Sequence, residues 1–401
     1  MSERCSRIAG FYRLSVADRR RVVAEFARVG GVELELEALA APIEESLLDA
    51  FVENVIGGFT LPFGVAANFL IDGREMLVPM VVEESSVVAA ASNMARLVRA
   101  TGGFCTEVIE DTMIGQVQLH SVPDIDEAVQ AVRDATPELI STSNDPDSTL
   151  VKIGGGCVGV ELRTFPASET DGDGDVLVVH FLVDCRDAMG ANIVNTICEK
   201  QAPRLEELTG GVVGLRILSN LADRRRVRAT CRVRAKELAF DGRTGEDVID
   251  GIVAAGRFAT YDPYRAATHN KGIMNGVDSV VLATGNDWRA MEAGAHAYAA
   301  RDGRYRSLSR WSKDPDSGDL LGSVELPVQV GIVGGVTKLH PVARFSIGLL
   351  DVQHASDLGR VLAAVGLAQN LGALRALSTE GINRGHLRLH RRNLEMASHQ
   401  P

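Results

Sequence analysis

The sequence predicts an α+β fold in which a large domain of mixed helices and strands is interrupted by a smaller α/β segment. A chain of 401 residues with 45% hydrophobic residues is long enough for two or three domains with their own cores. Residues 110–218 alternate short strands with helices, a texture typical of a compact inserted domain. The flanking segments mix longer helices with strands, and the sequence has no internal repeat.

The N-terminal region begins with a predicted helix. Ser15 can cap "VADRRRVVAEFARVG", whose apolar residues share one side at helical spacing. The arginines at 19–21 are interpreted as a solvated helix face, and a phosphate contact is the alternative.

A strand-to-helix junction follows in "MLVPMVVEESSVVAAASNMARLVRAT". Glu83 and Glu84 lie at the junction, and Ser85 and Ser86 are the candidate N-caps. Carboxylates near a helix N-terminus also have a purely electrostatic explanation, so this segment alone does not indicate catalysis.

The inserted segment contains two glycine-bearing motifs. "GGGCVG" at 154–159 matches the pattern of a dinucleotide fingerprint, but "VELRTF" continues as a strand where that fingerprint needs a helix, so we reject it. In "VDCRDAMGANIVNT" a strand leads into a helix that opens with Gly190, Asn192 and Asn195. Small residues there allow a diphosphate to approach free N–H groups, and ordinary helix capping is the equal alternative.

The segment "THNKGIMNGVDSVVLATGNDWRA" raises the question of why Lys271 and Asp287 lie beside an apolar run. We predict a turn rich in glycine and asparagine around Lys271, a buried strand over "SVVLA", and a second turn that carries Asp287. This arrangement suggests the floor of a catalytic site. Arg265 could bind a carboxylate or form a structural ion pair, and His386 could be catalytic or structural.

Bulk properties exclude several function classes. A net charge of −11 argues against nonspecific nucleic-acid binding. The six cysteines show no CxxC pair or zinc spacing, so reduced thiols and no bound metal are expected. No signal peptide is visible, and no apolar run reaches the roughly 18 residues that span a bilayer. We therefore expect a soluble, cytoplasmic protein without membrane or nucleic-acid partners.

Six motifs together resemble 3-hydroxy-3-methylglutaryl-CoA (HMG-CoA) reductase, and the similarity is greatest to the soluble bacterial class II enzymes. The resemblance covers nearly the whole chain in the family's order. The motifs are "ENVIG" (53–57), "LVPMVVEESSVVAAAS" (77–92), "DAMGAN" (187–192), "HNKGIMNG" (269–276), "ATGNDWRA.EAGAHAYA" (283–299) and "VGLAQNLGALRAL.TEGI.RGH" (365–386).

The resemblance implies an activity and a set of site residues. The activity is the interconversion of HMG-CoA with mevalonate plus CoA, by two hydride transfers with NAD(P)H. The implied catalytic residues are Glu84, Lys271, Asp287 and His386. The implied acyl-CoA contacts are Arg265, Ser86, Asn275, Asn220 and Arg13. The implied dinucleotide contacts are Asp147, Asp187, Met189, Gly190, Asn192 and Asn195.

Each implied catalytic residue has a chemical task. Lys271 would stabilise the negative carbonyl oxygen, and His386 would protonate the leaving CoA thiolate. Glu84 would supply a proton to the aldehyde oxygen, and Asp287 would link Lys271 and Glu84 by hydrogen bonds. An acid at Asp147 suits a free ribose 2′-hydroxyl, which favours NADH over NADPH.

The family also implies a domain division and an assembly. Residues 1–109 and 219–376 would form the acyl-CoA-binding catalytic domain, 110–218 a small non-Rossmann NAD(P)-binding domain, and 377–401 a C-terminal flap. The subunits would form a homodimer, or an oligomer of dimers, with active sites at the interface.

Two features depart from the family pattern. Ser85 follows Glu84 where the family often has a proline, and fifteen residues follow His386, fewer than in the family's usual flap. The alternative functions are a reductase of a related acyl-CoA thioester and a catalytically impaired relative that binds CoA or dinucleotide.

Overall fold

A computed structural model describes residues 4–40, 42–379 and 381 of the chain. Helices and strands mix in an α+β fold with two sheets, so the predicted fold class is confirmed.

The helices are α1 Val16–Val29, α2 Glu45–Phe51, α3 Val87–Arg99, α4 Ile125–Ser143, α5 Thr149–Lys152, α6 Ala191–Thr209, α7 Ala235–Leu238, α8 Gly245–Tyr261, α9 Pro263–Ala283, α10 Trp288–Ala299, α11 Gly335–Leu339, α12 Pro341–Leu350 and α13 Ala355–Ser378. The strands are β1 Phe63–Ile71, β2 Arg74–Val81, β3 Phe104–Asp111, β4 Met113–His120, β5 Gly156–Phe165, β6 Val176–Asp184, β7 Val212–Leu218, β8 Arg225–Val233, β9 Ser309–Lys313 and β10 Leu320–Pro327. Short 3₁₀ helices cover Phe11–Arg13 and Leu36–Leu39.

The chain divides into two compact units. The first comprises the described parts of Met1–Val108, Val227–Leu326 and Ile332–Pro401, and the second comprises Ile109–Arg226 and Pro327–Gly331. Which ligand each unit binds stays a prediction at this point.

The first unit is built on a six-stranded sheet in the order β2-β1-β3-β8-β10-β9. Helix α13 packs against α3, α8 and α9, and α10 packs against α9. Most residues of helix α13 are buried, including the unbroken stretch 361–371, so it forms the centre of this unit and packs directly on α9.

The second unit is built on a four-stranded antiparallel sheet in the order β5-β6-β4-β7. Helices α4 and α6 pack against each other and against this sheet. Their shared core contains the fully buried Val117, Phe181 and Leu205. Alternation of apolar and polar residues in these strands gives one buried face, as expected for an antiparallel sheet.

Most elements that the sequence predicted are present. Ser15 caps α1, where its side-chain oxygen accepts a hydrogen bond from the Asp18 N–H group. The segment "MLVPMVV" belongs to strand β2, and helix α3 follows it. The sequence after "GGGCVG" continues as β5, which confirms the rejection of a Rossmann fingerprint, although a short helix, α5, rather than a strand precedes the glycines.

Helix α13 bears on the membrane expectation. Among the described helices, it alone is long enough and apolar enough on average to meet the length and composition criterion for crossing a bilayer. However, 67% of its most apolar window is buried inside the protein. Such burial is typical of the core helix of a globular domain.

Candidate active site

Lys271 lies in the middle of helix α9. Asp262 caps this helix by accepting a hydrogen bond from the Tyr264 N–H group at 2.8 Å, and Pro263 occupies its first turn. The prediction of a glycine-rich turn around Lys271 followed by a strand over "SVVLA" is therefore wrong. Buried residues recur through the segment at spacings of three and four, which selects a helix: His269, Asn270, Ile273, Met274, Val277, Val280 and Val281.

One glycine of this segment has a packing role rather than a turn role. A Cβ atom on Gly276 would lie 3.0 Å from the Gln369 Cβ atom of α13. The absence of a side chain on Gly276 lets helices α9 and α13 approach closely, and this packing offsets the low helix propensity of glycine.

Lys271 and Glu84 come together as predicted. The Lys271 Nζ atom donates a hydrogen bond to Glu84 Oε2 at 3.2 Å, and Asn275 Nδ2 lies 3.4 Å from the same oxygen. Both partners remain accessible, with side-chain exposures of 61% for Lys271 and 38% for Glu84. An ion pair this exposed contributes at most about 1 kcal/mol to stability, so the pair is better explained by chemistry than by folding.

Asp287 has other partners than those predicted. It caps α10 by accepting hydrogen bonds from the N–H groups of Arg289 and Ala290, and its carboxylate pairs with the Arg289 guanidinium at 3.1 Å. Burial opposes ionisation, but these bonds prevail and hold the pKa of Asp287 below its usual value. In the described part of the chain, no hydrogen bond joins Asp287 to Lys271 or Glu84, so the predicted link is not formed.

Ser86 and Arg265 are polar groups poised for a ligand. Ser86 stands at the N-terminus of α3 with a left-handed φ of 81°, and its side chain forms no capping bond, contrary to its predicted use as a cap. Its hydroxyl oxygen is buried without a partner among the described residues. Burial lowers the pKa of Arg265, and the described residues offer this guanidinium no ion pair. An anion would satisfy both groups.

The second unit presents the predicted diphosphate site at the N-terminus of α6. Gly190 occupies the N-cap with a φ of 99°, and a Cβ atom there would lie 2.3 Å from the Cys185 Sγ atom. Only glycine fits there, and in the described part of the chain no N-cap side chain covers the first N–H groups of this 19-residue helix. Asn192 is exposed beside them, whereas Asn195 Oδ1 accepts a hydrogen bond from the Leu218 N–H group at 2.8 Å. Asn195 therefore holds β7 rather than offering that oxygen to a ligand.

The turn before α6 is fixed by a buried arginine. Arg225 is 3% exposed, and its Nη1 atom donates to the carbonyl oxygens of Ala188 and Met189 at 3.1 and 3.2 Å. The neighbouring Asp187 is half-buried. A single guanidinium thus fixes the backbone that leads to Gly190, a role that the sequence analysis did not assign.

The remaining predicted residues are spread over the surface. Asp147 is 94% exposed and lies 3.6 Å from Lys152 Nζ. Asn220 is exposed, and its backbone carbonyl accepts a hydrogen bond from Gln329 at 2.9 Å. Arg13 is exposed and stacks on the Tyr12 ring. His386 lies outside the described residues.

Sequence reasoning missed a cluster of titratable side chains on helices α9 and α10. It contains Asp278 on α9, Glu292 and His296 on α10, and Tyr305. Once α9 is known to be a helix, the spacing of Lys271, Asn275 and Asp278 places them on one face. The interpretation as a strand concealed this signal.

Comparison with known proteins shows similarity along nearly the whole chain. The family model described as hydroxymethylglutaryl-coenzyme A reductase matches residues 15–391. The 3-hydroxy-3-methylglutaryl-coenzyme A reductase of Archaeoglobus fulgidus is 50% identical over 391 residues, which cover 97% of this chain and 86% of that relative. A solved structure of the class II enzyme from Streptococcus pneumoniae, bound to NADPH in open conformations, has a TM-score of 0.87 and 40% identity. It covers 92% of this chain and 99% of its own.

Proposed function

The chain belongs to the hydroxymethylglutaryl-coenzyme A reductase family, and we propose that Lys271 and Glu84 form the centre of its active site. The family that the motifs predicted is confirmed. The protein is an oxidoreductase that interconverts HMG-CoA and mevalonate plus CoA. The single observation that carries the assignment of the site is the accessible hydrogen bond between Lys271 Nζ and Glu84 Oε2 at 3.2 Å.

Lys271 serves the substrate carbonyl oxygen. Each reduction step places negative charge on this oxygen, and an ammonium group fixed on a helix stabilises that charge. One preorganised donor of this kind is worth roughly 3–4 kcal/mol in the transition state. The exposed side chain of Lys271 leaves room for the oxygen to replace part of its contact with Glu84.

Glu84 serves as the proton donor to the same oxygen. Its carboxyl oxygen Oε2 already lies within reach of both Lys271 and Asn275. A proton on Glu84 passes to the aldehyde oxygen in the second step, and the hydroxyl of mevalonate forms. His386 protonates the CoA thiolate that leaves after the first step, a role carried over from the motif match alone.

Arg265 and Ser86 hold the hydroxymethylglutaryl group, together with Asn275 and Asn220. The half-buried guanidinium without an ion pair in the described residues suits the free carboxylate of this group. The buried Ser86 hydroxyl gains a hydrogen-bond partner when the substrate is bound. Arg13, on the exposed face of the N-terminal 3₁₀ helix, lies near coenzyme A.

The α6 N-terminus holds the diphosphate of NAD(P)H, which supplies the two hydrides when bound. The fit is supported by the glycine that the N-cap position requires, by the exposed Asn192, and by the backbone at Asp187 and Met189 that Arg225 fixes. Asp147 meets the adenosine ribose and disfavours a 2′-phosphate, so we expect a preference for NADH. The Streptococcus pneumoniae relative binds NADPH, which makes the cofactor preference a direct test of Asp147.

We further propose that the protein is a cytoplasmic homodimer, or an oligomer of dimers. In each active site one subunit contributes the acyl-CoA contacts and its partner the nucleotide-binding unit. Sedimentation of the purified protein measures the assembly, and a purely monomeric active enzyme would exclude this arrangement.

Steady-state oxidation of NAD(P)H tests the assignment of the site. Lys271→Ala should lower kcat with HMG-CoA by about 10²- to 10³-fold, the loss expected for one oxyanion donor, and should impair reduction of mevaldehyde as well. Lys236→Ala removes an exposed lysine elsewhere and is the matched control. Turnover of Lys271→Ala near that of the control would refute the role of Lys271.

A further inference from the structure

A cleft of about 1110 Å³ opens on the first unit between helix α8, the end of α10 and strands β9 and β10. Its volume is at the upper end of the range for pockets that hold small molecules. Among the described residues proposed for catalysis or substrate binding, none lines this cleft. It is therefore a feature separate from the proposed active site.

The side chains that line this cleft, called the arginine cleft below, carry an excess of positive charge. Three of the charged lining residues are acids and six are cations: Arg228, Arg257, Arg301, Arg306, Arg310 and Lys313. The whole chain, in contrast, has a net charge of −11. Positive charge is thus concentrated here against the overall balance of the protein, and a concave surface strengthens the attraction of such a patch for an anion.

Two of the three acids are already used by cations of the cleft. Arg228 Nη2 pairs with Glu325 Oε2 at 2.8 Å, and Lys313 Nζ pairs with Asp250 Oδ1 at 3.1 Å. The third acid, Asp302, is exposed. The internal ion pairs therefore neutralise only part of the positive charge.

Three arginines are left without a partner. Within the ranges that the structure describes, the guanidinium groups of Arg257, Arg306 and Arg310 form no hydrogen bond and no ion pair. They come from three places in the chain, since Arg257 belongs to α8, Arg310 to β9, and Arg306 to the segment that precedes β9. Guanidinium groups from separate elements that line one cleft can contact a shared anion from several sides.

The wall that carries Arg306 and Arg310 is fixed on the core of the unit. The buried Asn270 of α9 donates a hydrogen bond from Nδ2 to the Arg306 carbonyl oxygen at 2.9 Å, and its Oδ1 accepts one from the Leu308 N–H group at 3.0 Å. The buried Trp311 donates from Nε1 to an asparagine of α13 at 2.7 Å. The backbone is thus ordered before a ligand arrives, which lowers the entropy cost of binding.

We propose that the arginine cleft binds a phosphate-bearing small molecule, and that Arg257, Arg306 and Arg310 contact its phosphate groups. The planar guanidinium presents two parallel N–H donors that match two phosphate oxygens. A diphosphate offers enough charge and enough oxygens for three such groups, which a single carboxylate does not. A long nucleic acid does not fit this surface, because the acidic remainder of the protein repels an extended phosphate backbone.

Isothermal titration calorimetry of the full-length protein with inorganic pyrophosphate tests this proposal. The titrations are carried out at constant ionic strength, because salt screens exposed charges. The wild type should bind pyrophosphate with a Kd below about 1 mM. Arg306→Gln and Arg310→Gln should each raise this Kd about tenfold, the loss expected for one charge-assisted contact. Arg306→Lys keeps the charge without the two parallel donors and should raise the Kd less.

The matched control is Arg243→Gln, which removes an exposed arginine of the same unit outside the cleft and should keep the wild-type Kd. Saturating NADPH or HMG-CoA, each added alone, should leave the Kd for pyrophosphate unchanged. Lys271→Ala should also bind pyrophosphate like the wild type, so the outcome is independent of the proposed active site.

Three results would overturn the proposal. The first is a wild type that shows no binding of pyrophosphate, and the second is a Kd that is the same in Arg306→Gln, Arg310→Gln and the control. The third is displacement of pyrophosphate by HMG-CoA or NADPH, which would place the anion in a substrate site instead of the arginine cleft.

Discussion

The buried carboxyl group of Asp278 on helix α9 gives a prediction about stability that does not depend on catalysis. Asp278 has a pKa of about 9 in the folded chain against 3.8 for an unperturbed aspartate. An acid with a raised pKa takes up a proton on folding throughout this interval. Its contribution to stability is therefore greatest below pH 3.8 and is lost as pH rises toward 9.

The magnitude follows from the number of protons taken up. One full proton corresponds to about 1.4 kcal/mol per pH unit, which is the upper limit for the slope that a single group can give. Glu292 has a lowered pKa, so its own contribution is present above its unfolded value of 4.5 and is constant from neutral pH upward. Asp278→Asn does not titrate at this position. Its stability relative to the wild type should rise by roughly 2–4 kcal/mol between pH 5 and pH 8.

Urea unfolding followed by circular dichroism measures this difference. Both proteins are unfolded at equal concentration at about four pH values between pH 5 and 8, and the difference in unfolding free energy is plotted against pH. Titrations common to both proteins, including that of the buried His269, cancel in the difference. Parallel curves for the two proteins would show that Asp278 is ionised in the folded state and would refute its raised pKa.

Three further predictions concern residues of the proposed site. His386→Ala should reduce thioester turnover by about 10²-fold or more while reduction of free mevaldehyde changes little, since only the first step expels a thiolate. Equal losses of thioester turnover and mevaldehyde reduction would contradict this role. Asp147→Ala should raise the ratio of kcat/KM for NADPH to that for NADH about tenfold, with Asp145→Ala as the neighbouring control. An unchanged ratio would refute the contact between Asp147 and the ribose. Gly190→Ala should raise KM for NAD(P)H and lower the free energy of unfolding by roughly 1–3 kcal/mol, because the new Cβ atom would meet Cys185. A normal KM together with normal stability would show that the α6 N-terminus is not the diphosphate site.

Local patterns predicted most elements because local chemistry determines them. Ser15 predicts the start of α1 since its hydroxyl satisfies an N–H group that has no other partner. The strand pattern after "GGGCVG" was enough to exclude a Rossmann turn, because residues within the same segment determine it. In contrast, Lys271 was placed in a turn because glycine and asparagine favour turns in isolation. Burial against α13 overrides that preference, and contacts with α13 come from residues about ninety positions away in the chain.

The same difference between local pattern and tertiary contact applies to the prediction of the site. Motif matching identified Lys271 and Glu84, which the structure brings within hydrogen-bond distance. It could not identify which partners each residue would have, because hydrogen bonds depend on tertiary geometry. Asn195 is an example, because it matches the motif but its side-chain oxygen accepts a hydrogen bond from the Leu218 N–H group.

Asp287 is the sharpest case, and its two oxygens reconcile the two roles assigned to it. Oδ1 accepts the helix-capping bonds from the N–H groups of Arg289 and Ala290, together with a bond from Arg289 Nε at 3.1 Å. Oδ2 accepts a bond from Arg289 Nη2 at 3.2 Å. The Arg289 side chain is 72% exposed, so its release costs little and leaves Oδ2 open to a second donor while Oδ1 still caps α10. A cap anchored by one oxygen holds a carboxylate at a fixed place with its other oxygen available. The position that the motif assigns to catalysis can therefore also be the one that starts the helix carrying Glu292.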